Sequence, residues 1–171
     1  MDRAIVVVGL MGAGKTTLGR ALADRLGRRF RDSDLDIEAA TGRSAREIAA
    51  ADGTAALHAL ERRVLLDVLA EPDVVVAAAA STLDAPDTVV ALDAAFVVWP
   101  DAAPEVLATR FTSRPGRPVF GDTLAVLSGQ DAARRPALAR VADVVVDATE
   151  PTERQVAAVL AAVPAARPAA G

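Results

Sequence analysis

The 171-residue chain has no cysteine, which excludes disulfides and thiolate metal sites. Aromatic residues make up 3%, too few for the stacking platforms that single-stranded nucleic acid requires. There is no excess of basic residues either, since the net charge is -4. Nucleic acids and membrane surfaces both select basic patches, so neither is expected as a partner. A local anion site is still compatible with that balance. No apolar run approaches the ~20 residues of a membrane span. The opening "MDRAIVVVGLMGAGK" has an apolar run too short for a signal peptide and lacks its cleavage pattern. A cytoplasmic protein is the default expectation.

What is present is largely apolar: hydrophobic residues make up 52%, many of them alanine. That suits one folded domain over residues 1–163, with "PAARPAAG" at 164–171 expected to fray. Apolar and β-branched runs mark five strands: Ala4–Val8, "RRFRD" ending at Asp32, Val74–Ala77, Ala94–Trp99 and "DVVVD". Between them lie helical stretches. One runs from about Lys15 to Leu26 and is closed by Gly27, one is "LDIEAA", and one begins at the capping box of Ser44 and Glu47. Others are expected at Thr54–Ala70, Pro104–Phe111, Thr123–Leu127 and Asp131–Arg140, with a last helix capped by Thr152. No tight hairpin signal appears, so the fold class is α/β, a parallel sheet covered on both faces.

The strongest motif is "GLMGAGKT", Gly9 to Thr16, which fits G-x-x-x-x-G-K-[ST] with a strand before it and a helix after. Gly9, Gly12 and Gly14 let backbone N–H groups turn inward around a phosphate, and the next helix adds its positive end. In this arrangement Lys15 reaches the β and γ phosphates, and the Thr16 hydroxyl is a magnesium ligand. An ATP or GTP site follows. The guanine-reading N-K-x-D pattern is absent because the chain has no asparagine. Its length also favours a small-molecule kinase.

Asp32 and Asp34, in "DSD", end the second strand. Acids one residue apart face the same side of an extended chain. Asp32 is suited to hold magnesium-bound water or orient the attacking hydroxyl. Asp34 is suited to accept a hydroxyl proton. The alternative for Asp34 is a helix N-cap ahead of "LDIEAA". Arg110, Arg114 and Arg117 flank a segment rich in proline and glycine, about 111–122. That segment reads either as a mobile lid that excludes water or as a solvated loop.

Together "GLMGAGKTTLGRALADRLG", "FRDSDLDIEAATGRSAREI", "ALERRVL", "GRPVF" and "RRPALARVADVVVD" resemble the shikimate kinase family, from Ala4 to about Val163. The resemblance implies a three-layer P-loop kinase fold with a five-stranded parallel sheet in the order 2-3-1-4-5 and a lid over ATP. It implies ATP and Mg2+ as cofactors and a small-molecule hydroxyl acceptor. Gly12, Ala13, Gly14, Lys15, Thr16 and Thr17 would hold the nucleotide, together with an adenine-contacting Arg110 and a lid Arg117. Lys15, Asp32, Asp34 and Arg117 would be catalytic, and Thr16 and Asp32 would serve the metal. A monomer is favoured.

The acceptor side departs from the family pattern. The family's "TGGG" turn is replaced by Ala78, Ala79, Ala80 and Ser81. Its phenylalanine–arginine pair is replaced by Leu57 and His58, ahead of Glu61. Its tyrosine and second carboxylate-binding arginine are replaced by Leu138 and Ala139. Losing two charge-assisted contacts, each contributing ~1.5–3 kcal/mol, predicts an acceptor other than shikimate, such as a cyclitol or another alcohol. Asp34, His58, Ala79, Ala80 and Ser81 are the candidate acceptor residues, with His58 either a substitute cation or a structural residue. Two other readings stand beside this one. One is a nucleotide-binding protein without kinase activity that acts through a partner. The other is a genuine shikimate kinase in which Arg46, Arg62 or Arg140 replaces the missing arginines.

Overall fold

The computed structural model describes residues 3–113 and 122–163. Strand β1 (Ile5–Gly9) is buried throughout. It pairs in parallel with β3 (Val74–Ala79) and β4 (Phe96–Asp101). Strands β2 (Arg29–Asp32) and β5 (Val144–Asp147) form the edges, giving the order β2-β3-β1-β4-β5. The central strands are apolar because both sheet faces are covered, whereas the edge strands are more exposed and carry charge.

Strand alternation divides the core. Ile5 and Val7 face Leu18 and Leu22 of α1 (Lys15–Leu26) and Val156 and Val159 of α8 (Thr152–Ala162). Val6 and Val8 face the opposite layer. There they meet Leu65 and Val68 of α4 (Thr54–Leu69), Leu92 of α5 (Pro86–Leu92) and Leu138 of α7 (Thr123–Val141). Trp99 is buried in that layer, with the Arg135 guanidinium 5.0 Å from its ring centroid.

Four elements differ from expectation. The two helices expected after residue 122 are one, α7, although Pro136 lies inside it. Leu127 and Leu138 are both fully buried and anchor its two halves. Each contributes ~1.5–3 kcal/mol of apolar burial, comparable to the ~3 kcal/mol that an interior proline costs. Strand β3 runs two residues beyond Ala77 before a 3-10 turn at Ala80–Asp84. Helix α5 has no counterpart among the sequence expectations, because seven residues are too few to display a helical period. At α8 the N-cap is Pro151 rather than Thr152. No helix among the described residues is long and apolar enough to cross a membrane.

Candidate active site

Sheet register brings the candidate residues to the carboxyl ends of neighbouring strands. Gly9 pairs with Ala79, and Ala77 pairs with Asp32, so β1, β2 and β3 end side by side. The glycine-rich loop leaves β1 there and enters α1. Gly12 has φ +83, and a Cβ on it would lie 2.5 Å from the Leu107 carbonyl oxygen. The loop therefore rests directly on α6 (Pro104–Thr112). Ala13 is buried against the same helix. Lys15 is the only lysine in a chain otherwise charged positively by arginine. Its Nζ donates to the Leu10 carbonyl at 3.1 Å.

Asp32 joins the loop to the second strand. It accepts a 2.7 Å hydrogen bond from the Thr16 hydroxyl at Oδ2 and a 3.1 Å bond from the Asp34 amide at Oδ1. The second contact makes Asp32 the N-cap of α2 (Ser33–Thr41). Capping thus falls to Asp32, not Asp34, which lies in the first turn. A cavity of about 90 Å³ is lined by Gly12, Gly14, Lys15, Thr16, Thr17, Asp32 and Asp34. The Thr16 hydroxyl and the Asp32 carboxylate are hard oxygen donors at contact distance. Magnesium takes few protein ligands and completes its shell with phosphate oxygens and water, so this pair fits it.

Beside the phosphate cavity lies a second one of about 520 Å³, which shares Gly12, Gly14 and Thr17 and adds Arg110, Ala148, Pro151 and Gln155. Arg110 Nη1 donates to the Ala148 carbonyl at 2.5 Å, which brings the guanidinium over to the loop after β5. Arg114 and Arg117 lie outside the described residues, as do 164–171 and residues 114–121 of the expected lid.

A third cavity, about 330 Å³, opens on the other side of the phosphate cradle. Lys15, Asp34 and Ala79 line both it and the phosphate cavity. Leu57, His58, Ala80 and Ser81 also line it. Gln130 and Arg134 of α7, and Arg46 of α3 (Ala45–Asp52), complete it. The alanine turn is unstrained, since Asp73 is the only described non-glycine residue at positive φ. Glycine is therefore not required by the backbone in Ala78–Ser81. The Ser81 hydroxyl donates to Glu61 Oε2. Burial raises the Glu61 carboxyl above its ordinary range, opposed by that hydrogen bond and by the charges of His58 and Arg134.

Of the three arginines considered as replacements, only Arg46 reaches this cleft. Arg62 is exposed and pairs with Asp87 at 2.9 Å. Arg140 lines a separate groove with Arg3 and Asp143. Arg134 was not singled out from the sequence. Only its place in "RRPALARVADVVVD" marked it, and nothing local in that stretch shows which side of the helix faces the cleft.

A family profile described as shikimate kinase matches residues 11–163. The chain belongs to the shikimate kinase family. It is 42% identical over 153 residues to a shikimate kinase of Paramagnetospirillum magneticum, covering 88% of this chain and 78% of the relative. It is 34% identical to shikimate kinase 2 of Yersinia enterocolitica, covering 94% and 95%. The fold superposes on a shikimate kinase from Acinetobacter baumannii in complex with shikimate, with a TM-score of 0.86 and 27% identity over 94% and 92% of the two chains. This family member is a kinase that phosphorylates a hydroxyl group, with ATP and Mg2+ as cofactors. The relatives do not support the acceptor inferred from the altered motifs. They favour the reading in which the acceptor is shikimate.

Proposed function

We propose that the protein transfers the ATP γ-phosphate to a hydroxyl of shikimate. One observation carries this reading. Lys15 and Asp34 stand on the boundary between the phosphate cavity and the cleft beyond it, where a γ-phosphate and a hydroxyl would meet. Lys15 holds the β and γ phosphates. Asp34 orients the attacking hydroxyl and takes up its proton. Thr16 and Asp32 hold Mg2+, which when bound neutralises charge on the phosphate oxygens. Gly12, Ala13, Gly14 and Thr17 wrap the phosphates, and Arg110 borders the base. Asp34, His58, Ala79, Ala80 and Ser81 line the acceptor side. Such transfer needs positioning and electrostatics rather than covalent catalysis, and these groups supply both.

The cleft holds the cationic side chains that an acidic acceptor requires, with Arg46 and Arg134 among its lining residues beside His58. We assign the protein to the cytoplasm as a single-domain monomer over 1–163. A coupled ADP-release assay with saturating Mg-ATP tests the reading. Shikimate should support turnover on the order of 1–100 per second. ADP release with a neutral cyclitol but none with shikimate would reinstate the non-shikimate acceptor.

A further inference from the structure

Apart from its titratable groups, the acceptor cleft is lined by three polar side chains, Thr54, Ser81 and Gln130. The Ser81 hydroxyl is committed, because it donates to Glu61 Oε2. Thr54 is exposed at the start of α4, where water competes for its hydroxyl. Gln130 is half-buried, and its amide has no hydrogen-bond partner among the described residues. Helix geometry turns it inward. At 3.6 residues per turn, Gln130 lies about 40° around the α7 axis from Arg134 and about 60° from Leu127. Leu127 is fully buried, so this side of α7 faces the molecule, and from it Gln130 and Arg134 reach the cleft. The turn that carries Gln130 is also anchored. The next residue, Asp131, accepts from Arg135 Nε at 2.9 Å, and Arg135 donates through Nη1 and Nη2 to Asp101 at the end of β4, at 2.9 and 2.8 Å. The backbone there is tied to the sheet while the neighbouring amide stays uncommitted.

Resting on the shikimate reading, we propose that Gln130 is a specificity-determining residue that reads a hydroxyl of the acceptor other than the one phosphorylated. A hydroxyl both donates and accepts, and so does a primary amide, so the two pair in either direction. The charged groups of the cleft do not duplicate this. Lys15 and Asp34 stand at the boundary with the phosphate cavity, where the reacting hydroxyl sits. Arg46 and Arg134 offer donors only. Glu61 already accepts from Ser81. An acceptor lacking the paired hydroxyl strips water from the amide and returns no partner, which is how a polar pocket rejects a deoxy analogue. The acceptor class that Gln130 selects is therefore a polyol, not a simple alcohol.

The test measures kcat/KM for wild type, Q130M and Q130L at saturating Mg-ATP. The acceptors are shikimate and two analogues, each lacking one of the two hydroxyls that do not react. Methionine and leucine keep the helix propensity of glutamine while removing the amide. With shikimate both variants should lose about three- to ten-fold in kcat/KM, the effect of one neutral hydrogen bond. One analogue should cost the wild type a similar factor, yet leave wild type and variants equal within about two-fold, because the partner of the amide is already gone. The other analogue should preserve the full difference between wild type and variants. Equal losses with all three acceptors would show a structural role and overturn the proposal. If the wild type turns shikimate over and the variants match it, the proposal alone falls. If the wild type does not turn shikimate over, the shikimate reading falls and the proposal with it. Should Q130M fail to fold, Q130L decides by the same ratios.

Discussion

Replacing Gly12 by alanine should damage both stability and nucleotide binding, and Gly27 provides the control. Both glycines have positive φ, +83 and +64. An L-residue in that region costs roughly 1–2 kcal/mol. At Gly27 nothing lies within 4 Å of an added Cβ, so the conformational cost is the whole effect. A chain of this size loses about 2–4 °C in Tm per kcal/mol, so G27A should melt roughly 2–8 °C lower. At Gly12 the Cβ would also sit 2.5 Å from the Leu107 oxygen and 3.2 Å from its carbonyl carbon. Those atoms belong to the α6 backbone and cannot rotate away. Overpacking of this kind adds about 1–3 kcal/mol, which brings G12A to a loss of roughly 4–20 °C. The functional readout separates the variants further. A ligand at a hundred times its Kd stabilises by about 2.7 kcal/mol. Wild type and G27A should show that upward shift with Mg-ATP. G12A should lose most of it, because α6 also carries Arg110 to the nucleotide cavity. A G12A protein that melts no lower than G27A and keeps its full nucleotide shift would refute the packing argument.

Three further outcomes follow from the site. D32N should keep the α2 cap, since asparagine caps as well as aspartate, while kcat falls by about a hundred-fold or more with loss of the charge beside Thr16. D32A should in addition lose ~1 kcal/mol of stability, measurable by urea titration. Burial raises the Glu61 carboxyl, so over the window from the ordinary glutamate value to the raised one the folded chain holds the extra proton. Folding stability therefore drops as pH rises through that window. E61Q has no such proton to lose, and its Tm relative to wild type should climb as pH rises from the ordinary glutamate value through the raised one. A constant difference across that range would show that Glu61 is not held toward its neutral form. R110A should raise the KM for ATP several-fold and leave the KM for the acceptor unchanged in steady-state kinetics, because among the described residues Arg110 lines the cavity proposed for the nucleotide and not the acceptor cleft.

The nucleotide side was legible because its signals are local. The loop from Gly9 to Thr16, the strand before it and the helix after it occupy neighbouring positions, and the glycines mark places where the backbone must turn. Asp32 and Asp34 were visible as a pair. Their division of labour was not, since it depends on a 3.1 Å bond to the Asp34 amide that makes Asp32 the cap. The acceptor side was less legible for a related reason. Comparing positions along the chain gave no view of which arginines reach the cleft in three dimensions. Arg134 meets Asp84, fifty residues earlier in the chain, and no pattern along the sequence couples the two.

By itself, the sequence determined the strand count, the parallel α/β class, the phosphate loop and the two carboxylates beside it. Each of these follows from hydrophobic period, backbone freedom or short-range spacing. Tertiary structure alone decided that α7 runs unbroken past Pro136, that the Ala78–Ser81 turn needs no glycine, and that Arg134 rather than Arg62 or Arg140 faces the acceptor cleft. The first and last of these depend on which side of a helix is buried against the rest of the fold. That choice is made by the packing of Leu127 and Leu138 against residues far away in the chain.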